Sequence, residues 1–190
     1  MEASYSPSAR FCDKILIMDN KKLSSLIRDV PDFPKPGISY KDITPLLKEP
    51  SALKAALSAM GNPFLNDKVE LVVGIESRGF IFGAPIAIEL GCGFIPMRKP
   101  GKLPAETLSQ EYDLEYGSDS IEIHADAISA GQKVLLVDDV LATGGTLAAS
   151  CLLLDKLEAE IVGISVLAEL SFLQGRKKLP DCRFEAVIDY

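Results

Sequence analysis

The residues best suited to chemistry lie in one run, Val134-Leu135-Leu136-Val137-Asp138-Asp139-Val140-Leu141-Ala142-Thr143-Gly144-Gly145-Thr146. Apolar residues lead into two adjacent carboxylates, then into a turn of small residues, then into a helical pattern from Leu147 to Leu157. Small residues let backbone N–H groups converge on an anion, and the following helix adds the positive end of its dipole. Thr143 and Thr146 add hydroxyl donors. Asp138 and Asp139 would repel that anion, so they suit ribose hydroxyls, or a magnesium ion that the ligand brings with it. The ligand implied by this chemistry is a sugar phosphate. The competing reading is a solvated acidic strand end followed by a Gly-Gly turn, and the ordered run Asp, Asp, Ala, Thr, Gly, Gly, Thr counts against it. A Walker-type loop is excluded, because its Gly-Lys-Ser/Thr ending is missing.

Two further stretches have unusual composition. Arg98 to Ser120 holds Arg98, Lys99 and Lys102, two prolines and two glycines, then a polar alternation from Gln110 to Tyr116. Long connections of this kind are functional lids or hairpin arms. Val30 to Asp42 carries Pro31, Pro34 and Pro36 within six residues. That density forbids a helix or a central strand and predicts a stiff loop that loses little entropy on ordering.

The elements that must position these groups alternate. Glu70 to Ile75 reads as a buried strand ending in Glu76-Ser77-Arg78-Gly79, with a helix following through Leu90. Gly91-Cys92-Gly93 breaks it, and Phe94 to Met97 reads as the next strand. Strand, helix, strand implies parallel pairing with a right-handed crossover. Further strands are expected at Ser120–His124, Val134 onward, Ile161–Leu167 and Phe184–Ile188, with turns at Asp126–Gly131 and a basic one at Gly175–Pro180. Toward the N-terminus, Asn20 is expected to cap a helix over Lys21–Arg28 with Leu23, Leu26 and Ile27 on one face. A second helix opens at Pro50-Ser51 with a stripe of Leu53, Ala56, Leu57 and Met60, stopped by Gly61-Asn62-Pro63. The prediction is a single α/β domain over 1–190 with a mainly parallel twisted sheet flanked by helices. A small N-terminal hood, about 20–45, is expected over the carboxyl edge, where open parallel sheets bind ligands. About 98–120 is expected to be a mobile active-site loop.

Composition narrows the class. A length of 190 residues suits one domain, and 47% hydrophobic with 7% aromatic residues predicts an aliphatic core. No apolar run reaches the ~18–20 residues of a membrane span, so no membrane association is expected. Met1 to Arg10 lacks a basic start followed by an apolar core, and so is not read as a signal peptide. The short run Ile15 to Met18 is expected to pack against the body. Cys12, Cys92, Cys151 and Cys182 show no paired spacing, which argues against zinc or a disulfide framework and for a reducing, cytoplasmic setting. A net charge of −7 argues against a nucleic-acid partner but not against a phosphate ligand. His124, the only histidine, reads as structural or solvated, and Cys151 as core.

Val137 to Thr146 resembles the phosphoribosyl-pyrophosphate (PRPP) motif of the type I phosphoribosyltransferases. Other stretches narrow the resemblance to the adenine phosphoribosyltransferase family: Phe33-Pro34-Lys35-Pro36-Gly37-Ile38 with Lys41-Asp42-Ile43-Thr44-Pro45, Glu76-Ser77-Arg78-Gly79-Phe80, Arg98 to Pro104, and Leu114-Glu115-Tyr116-Gly117. It spans roughly Val30 to Val187; Met1 to Asn20 is longer than the family pattern. The resemblance implies the type I phosphoribosyltransferase fold and magnesium-dependent transfer of the 5-phosphoribosyl group from PRPP to adenine, giving AMP and pyrophosphate. It implies that Asp138 and Asp139 hold the ribose hydroxyls, with magnesium carried mainly by PRPP and assisted by the same pair. Ala142, Thr143, Gly144, Gly145 and Thr146 would cradle the 5′-phosphate. Glu76, Ser77 and Arg78 would form the pyrophosphate loop, with a cis peptide between Glu76 and Ser77 and Arg78 at the leaving group. Arg98, Lys99 and Lys102 would also face pyrophosphate, Arg98 or Lys99 reaching into the partner's site in a homodimer. Backbone groups around Ile38, Ser39, Tyr40 and Lys41 would recognise adenine, with Tyr40 stacking on the ring. Glu115 would donate or relay a proton. Two alternatives stay open: another purine base, hypoxanthine or xanthine, and a PRPP-sensing regulator without catalysis.

Overall fold

A computed structural model describes residues 18–113 and 118–190. The run Ile15-Leu16-Ile17 and the segment Leu114-Glu115-Tyr116-Gly117 lie outside the described residues. The chain divides into two compact units, one up to Ala55 and one from Ala56 to Tyr190.

In the first unit, α1 (Asn20–Ser25) is capped by Asp19, not by Asn20: the Asp19 carboxylate accepts from the Lys22 N–H at 2.8 Å. The helix stops at Ser25 instead of Arg28, because Arg28–Pro31 is a strand, β1, paired antiparallel with β2 (Ser39–Asp42). The proline-rich stretch is therefore not one continuous loop. Pro31 is tolerated at the end of a two-stranded ribbon, where no ladder continues past it. Between the strands, Asp32 sits at φ 58° and accepts from the Gly37 N–H at 2.7 Å, while Gly37 takes φ 87°. The Phe33–Pro34 peptide is cis. A short helix that the pattern did not indicate, α2 (Thr44–Lys48), follows. Leu23, Ile27, Ile43, Leu46, Ala52 and Ala55 are the buried apolar residues among those described in this unit. α3 (Pro50–Gly61) ends where expected, but its buried stripe is offset: Ala52, Ala55, Ala56 and Met60 are buried, while Leu53 and Leu57 are half-buried.

The hairpin is closed by Arg28, whose Nη2 lies 2.5 Å from Asp42 Oδ2, and the Asp42 carboxylate also accepts from the Thr44 N–H at 2.9 Å. The Thr44 backbone bond and the Arg28 contact lower the Asp42 pKa from 3.8 to about 2. A depressed carboxylate stabilises the fold above its unfolded pKa and loses that contribution as pH falls through the folded one. The Asp42 carboxyl should therefore titrate near 2 by NMR, and its midpoint should move toward 3.8 in Arg28→Ala. An unmoved midpoint would remove Arg28 as a cause.

The second unit is built on β3 (Leu71–Ile75), α4 (Arg78–Leu90), β4 (Gly93–Met97), β5 (Thr107–Asp113), β6 (Ser118–His124), β7 (Lys133–Leu141), α5 (Gly145–Lys156), β8 (Glu160–Glu169) and β9 (Phe184–Asp189). Five strands form one sheet in the order β4-β3-β7-β8-β9, every neighbour parallel. This is the α/β architecture with a parallel sheet flanked by helices. α4 ends at Gly91, whose φ of 71° closes the helix in the left-handed region. The core is aliphatic, with Val73, Ile75, Leu136, Ile164 and Val166 from the sheet and Leu147, Leu153 and Leu154 from α5. Cys151 is part of it, and burial pushes its thiol up to about 12.

Part of Arg98–Ser120 is a hairpin. β5 and β6 pair antiparallel from Thr107↔His124 to Asp113↔Ser118, so β6 begins two residues before the expected Ser120. The hairpin is tied to the body by an Arg98↔Glu122 bridge and by Lys156 of α5, whose Nζ donates to Gln110 Oε1 at 2.9 Å. His124 accepts from the Ala105 N–H at 3.4 Å. No described helix is long and apolar enough to cross a membrane.

Candidate functional site

The central strand β7 outruns its neighbour β3. β3 pairs with β7 only as far as Gly74↔Val137, whereas β8 follows it through Val140↔Ala168 to Leu141↔Glu169. Asp138 and Asp139 thus lie within the strand, a few residues before its end, on a stretch that β3 has left uncovered. The start of α4 fills that gap. Gly79 makes this possible: a Cβ there would lie 2.8 Å from the Val137 carbonyl oxygen and 3.1 Å from Asp138 Oδ1. The Glu76–Ser77 peptide is cis, as the resemblance implied.

Asp139 is 4% exposed, and the Arg78 Nη2 stands 2.8 Å from its Oδ2. That contact lies off the hydrogen-bond direction, and Oδ2 accepts no directed hydrogen bond from the protein. Burial raises the Asp139 pKa against the opposing pull of Arg78. Burial and then the neighbouring Asp139 charge raise that of Asp138 well above the usual carboxylate range. Among the described residues no cluster of three or more His, Cys, Asp or Glu could hold a metal alone. The orphaned Asp139 oxygen fits a ligand hydroxyl or a cation whose remaining coordination comes from oxygens of the ligand.

After β7 the chain turns through Ala142 and Thr143 into Gly144, at φ 81°, and α5 begins at Gly145 with no side-chain cap. The first-turn N–H groups of α5 therefore have neither an intrahelical acceptor nor a capping side chain, which is the arrangement that receives an anion. Gly144 is buried against Gly175, a residue outside the expected site.

The basic stretch makes contacts within the chain. The Arg98 Nε donates to Glu76 Oε2 at 3.1 Å and the Lys99 N–H to the same oxygen at 3.0 Å; Arg98 Nη1 also donates to the Lys102 carbonyl at 3.1 Å. Burial would raise the Glu76 pKa, but these two donors outweigh it and hold it low. Glu76 thus clamps the Arg98–Lys102 turn to the end of β3. The Lys99 ammonium is bonded to Asp119 and donates to the Tyr112 hydroxyl at 2.8 Å, both on the β5–β6 hairpin. Burial works against its charge, yet Asp119 and Tyr112 leave its pKa raised. Lys102 is exposed. Tyr112 carried no sequence signal beyond the polar alternation of Gln110 to Tyr116, and Asp119 carried none.

The expected base-recognition residues lie in the first unit. Ser39, Tyr40 and Lys41 are on β2, and Ile38 immediately precedes it. β2 pairs only with β1, in a two-stranded sheet. The Tyr40 ring packs edge-on against Phe33, centroids 5.2 Å apart at 72°. The Lys41 ammonium lies 2.5 Å from Asp29 Oδ1, so its side chain is directed across the hairpin. Glu115 lies outside the described residues.

The chain matches the phosphoribosyl transferase domain model over residues 42–184. It is 56% identical over 168 residues to an adenine phosphoribosyltransferase of Acaryochloris marina, covering 88% of this chain and 99% of that protein. The crystal structure of adenine phosphoribosyltransferase from Thermoanaerobacter pseudethanolicus is similar at a TM-score of 0.87 and 50% identity, covering 90% of this chain and 99% of that one. The Saccharomyces cerevisiae enzyme, complexed with an imino-altritol bisphosphate and adenine, is similar at a TM-score of 0.83 and 40% identity over 88% of this chain and 97% of that one.

Proposed function

The chain belongs to the adenine phosphoribosyltransferase family, and from that premise we propose that it transfers the 5-phosphoribosyl group of PRPP to adenine, releasing AMP and pyrophosphate. The observation that carries this reading is the end of β7: two carboxylates on the stretch of strand beyond its pairing with β3, an Arg78 cation against one of them, and an uncapped helix N-terminus a few residues later.

The roles follow from charge and reach. The first-turn N–H groups of α5, with Ala142 to Thr146, receive the 5′-phosphate. Asp138 and Asp139 accept hydrogen bonds from the ribose hydroxyls; strong acceptors there orient the sugar and favour positive charge as it develops at the anomeric carbon. Arg78, beside Ser77, meets the leaving group, whose C–O bond breaks as the base nitrogen bonds to the same carbon. Glu76 serves the pyrophosphate side by holding Arg98 and the Lys99 backbone in place. Ile38, Ser39, Tyr40 and Lys41 recognise adenine, chiefly through backbone groups on the edge of β2 that β1 does not use. Since the Lys41 side chain is directed to Asp29, its contribution to the base is from the main chain. Glu115 gives or relays the proton that the base exchanges. Magnesium, brought by PRPP and assisted by Asp138 and Asp139, neutralises pyrophosphate charge when bound. The setting is cytoplasmic. A second copy of the chain completes the assembly; Ile81 and Ile88, exposed one heptad apart on α4, offer it an apolar face.

The assay mixes protein, PRPP and magnesium with adenine, hypoxanthine or xanthine and follows nucleotide and pyrophosphate. Turnover is expected with adenine and lost on chelating magnesium. Turnover with hypoxanthine but not adenine would overturn the base assignment, and PRPP binding without turnover of any base would favour a sensor. In the same assay, Glu115→Gln should lower kcat by about 10²-fold with the PRPP KM nearly kept; unchanged turnover would remove its role. Sedimentation should give a dimer, which a monomer at assay concentration would contradict.

A further inference from the structure

We propose that Gly175, held in place by the Glu169–Arg176 ion pair, is a positioning residue that braces the Ala142–Gly144 backbone from behind. The inference rests on the reading of that segment as the 5′-phosphate cradle.

The two backbones touch. A Cβ on Gly175 would lie 2.1 Å from the Ala142 carbonyl oxygen and 2.9 Å from the Gly144 nitrogen, and a Cβ on Gly144 would lie 2.4 Å from the Gly175 carbonyl oxygen. Neither position has room for a side chain, and the obstructing atoms are main chain, which cannot swing aside. The contact therefore fixes where the cradle's N–H groups sit.

What holds Gly175 there is a built-in charge pair. Glu169 is the last residue of β8 and pairs with Leu141, one residue before Ala142. Its side chain is 8% exposed. Arg176, next to Gly175, grips both carboxylate oxygens: Nε donates to Oε1 at 3.1 Å and Nη2 to Oε2. The guanidinium also lies over the Phe184 ring of β9 at 4.1 Å. Between the two, Gln174 at φ 54° turns the chain back toward β7. A planar, two-pronged grip of this kind fixes orientation as well as distance, which a lysine cannot reproduce. The end of β8, the Arg176 turn and the end of β7 thus form a closed circuit around the cradle.

The test compares Gly175→Ala, Arg176→Ala and Arg176→Lys with Thr146→Val, which removes a cradle hydroxyl. Readouts are kcat, the KM values for PRPP and adenine, and calorimetric binding of ribose 5-phosphate. Displacing the cradle by about 1 Å should raise the PRPP KM and weaken ribose 5-phosphate binding by about ten- to a hundredfold. The adenine KM and kcat should stay within about threefold, and Arg176→Lys should fall between parent and Arg176→Ala. A role confined to stability would instead lower kcat through loss of active molecules at unchanged KM, and that result overturns the proposal. Should Gly175→Ala fail to fold, the two Arg176 variants decide. If Thr146→Val weakens ribose 5-phosphate binding but the Gly175 and Arg176 variants do not, the brace alone is wrong. If the parent itself does not bind ribose 5-phosphate, the cradle reading fails, and the brace with it.

Discussion

Replacing Asp138 and Asp139 together by asparagine is expected to lower kcat/KM for PRPP by about 10²–10⁴-fold while the protein stays folded. Each carboxylate is read as the acceptor of a hydrogen bond from a ribose hydroxyl, and a hydrogen bond to a charged group contributes about 1.5–3 kcal/mol. Asparagine keeps an acceptor oxygen but loses the charge and presents a donor where none is wanted. Stability should move the other way. Two adjacent carboxylates are held where burial disfavours their ionised forms, and Asp139 Oδ2 has no directed hydrogen bond to offset it. A carboxyl whose folded pKa is raised contributes stability below its unfolded pKa, and that contribution is lost as pH rises through the folded value. At neutral pH the pair is therefore a standing cost, and neutral side chains of the same shape relieve it. The melting temperature of the double variant, without ligand, should be no lower than the parent's. Wild-type turnover would leave the ribose role unsupported, and a collapsed melting transition would show that the pair holds the fold together.

Arg78→Ala should cost both activity and stability. Its guanidinium is proposed to meet the leaving group, and loss of one such preorganised cation lowers kcat by about 10²–10³-fold. It is also the counter-charge at 2.8 Å from the buried Asp139. Removing one partner of a buried pair leaves the other uncompensated, which costs up to about 3–5 kcal/mol. The Arg78 side chain is 28% exposed, so water can answer part of the loss, and about 1–3 kcal/mol is the expected destabilisation. The two effects separate in a double-mutant cycle with Asp139→Asn. In that background Arg78→Ala should no longer destabilise, because no charge is left to abandon, yet activity should remain lost. Denaturant unfolding and steady-state kinetics on the four proteins read this out. If Arg78→Ala keeps parental stability, the ion pair is unimportant to the fold; if it keeps parental kcat, Arg78 does not meet the leaving group.

Much of the second unit was readable because its signals are local. The apolar runs at Leu71–Ile75, Val134–Val137 and Ile161–Leu167 are short enough, and bounded sharply enough by glycine and charge, to be strands in any compact fold. The break at Gly91 needed only a residue that tolerates φ 71°. The first unit was less readable. Asn20 and Asp19 are both good caps, and only the extended backbone at Asp19 selects between them. The β1–β2 hairpin is invisible in a stretch with three prolines, because its pairing joins residues up to 14 apart in the chain, Arg28 with Asp42. The buried face of α3 shifted to alanines because close packing rewards small side chains as readily as large ones.

Residue order was enough for the parallel α/β architecture, the paired carboxylates, the expectation of an anion cradle before α5 and the resemblance that carries the reaction. Those depend on residue order over a dozen positions, where backbone geometry and the helix dipole act. Tertiary structure alone decided what each charge faces. Lys99 is engaged by Asp119 and Tyr112, Arg98 by Glu76, Lys41 by Asp29, and Arg176 by Glu169. A side-chain charge has no direction in a sequence, and its partner is set by which strand ends and turns are packed together. The same holds for Gly175: its neighbours in the chain mark a basic turn, and only the contact with Ala142 and Gly144 shows why that position has no side chain.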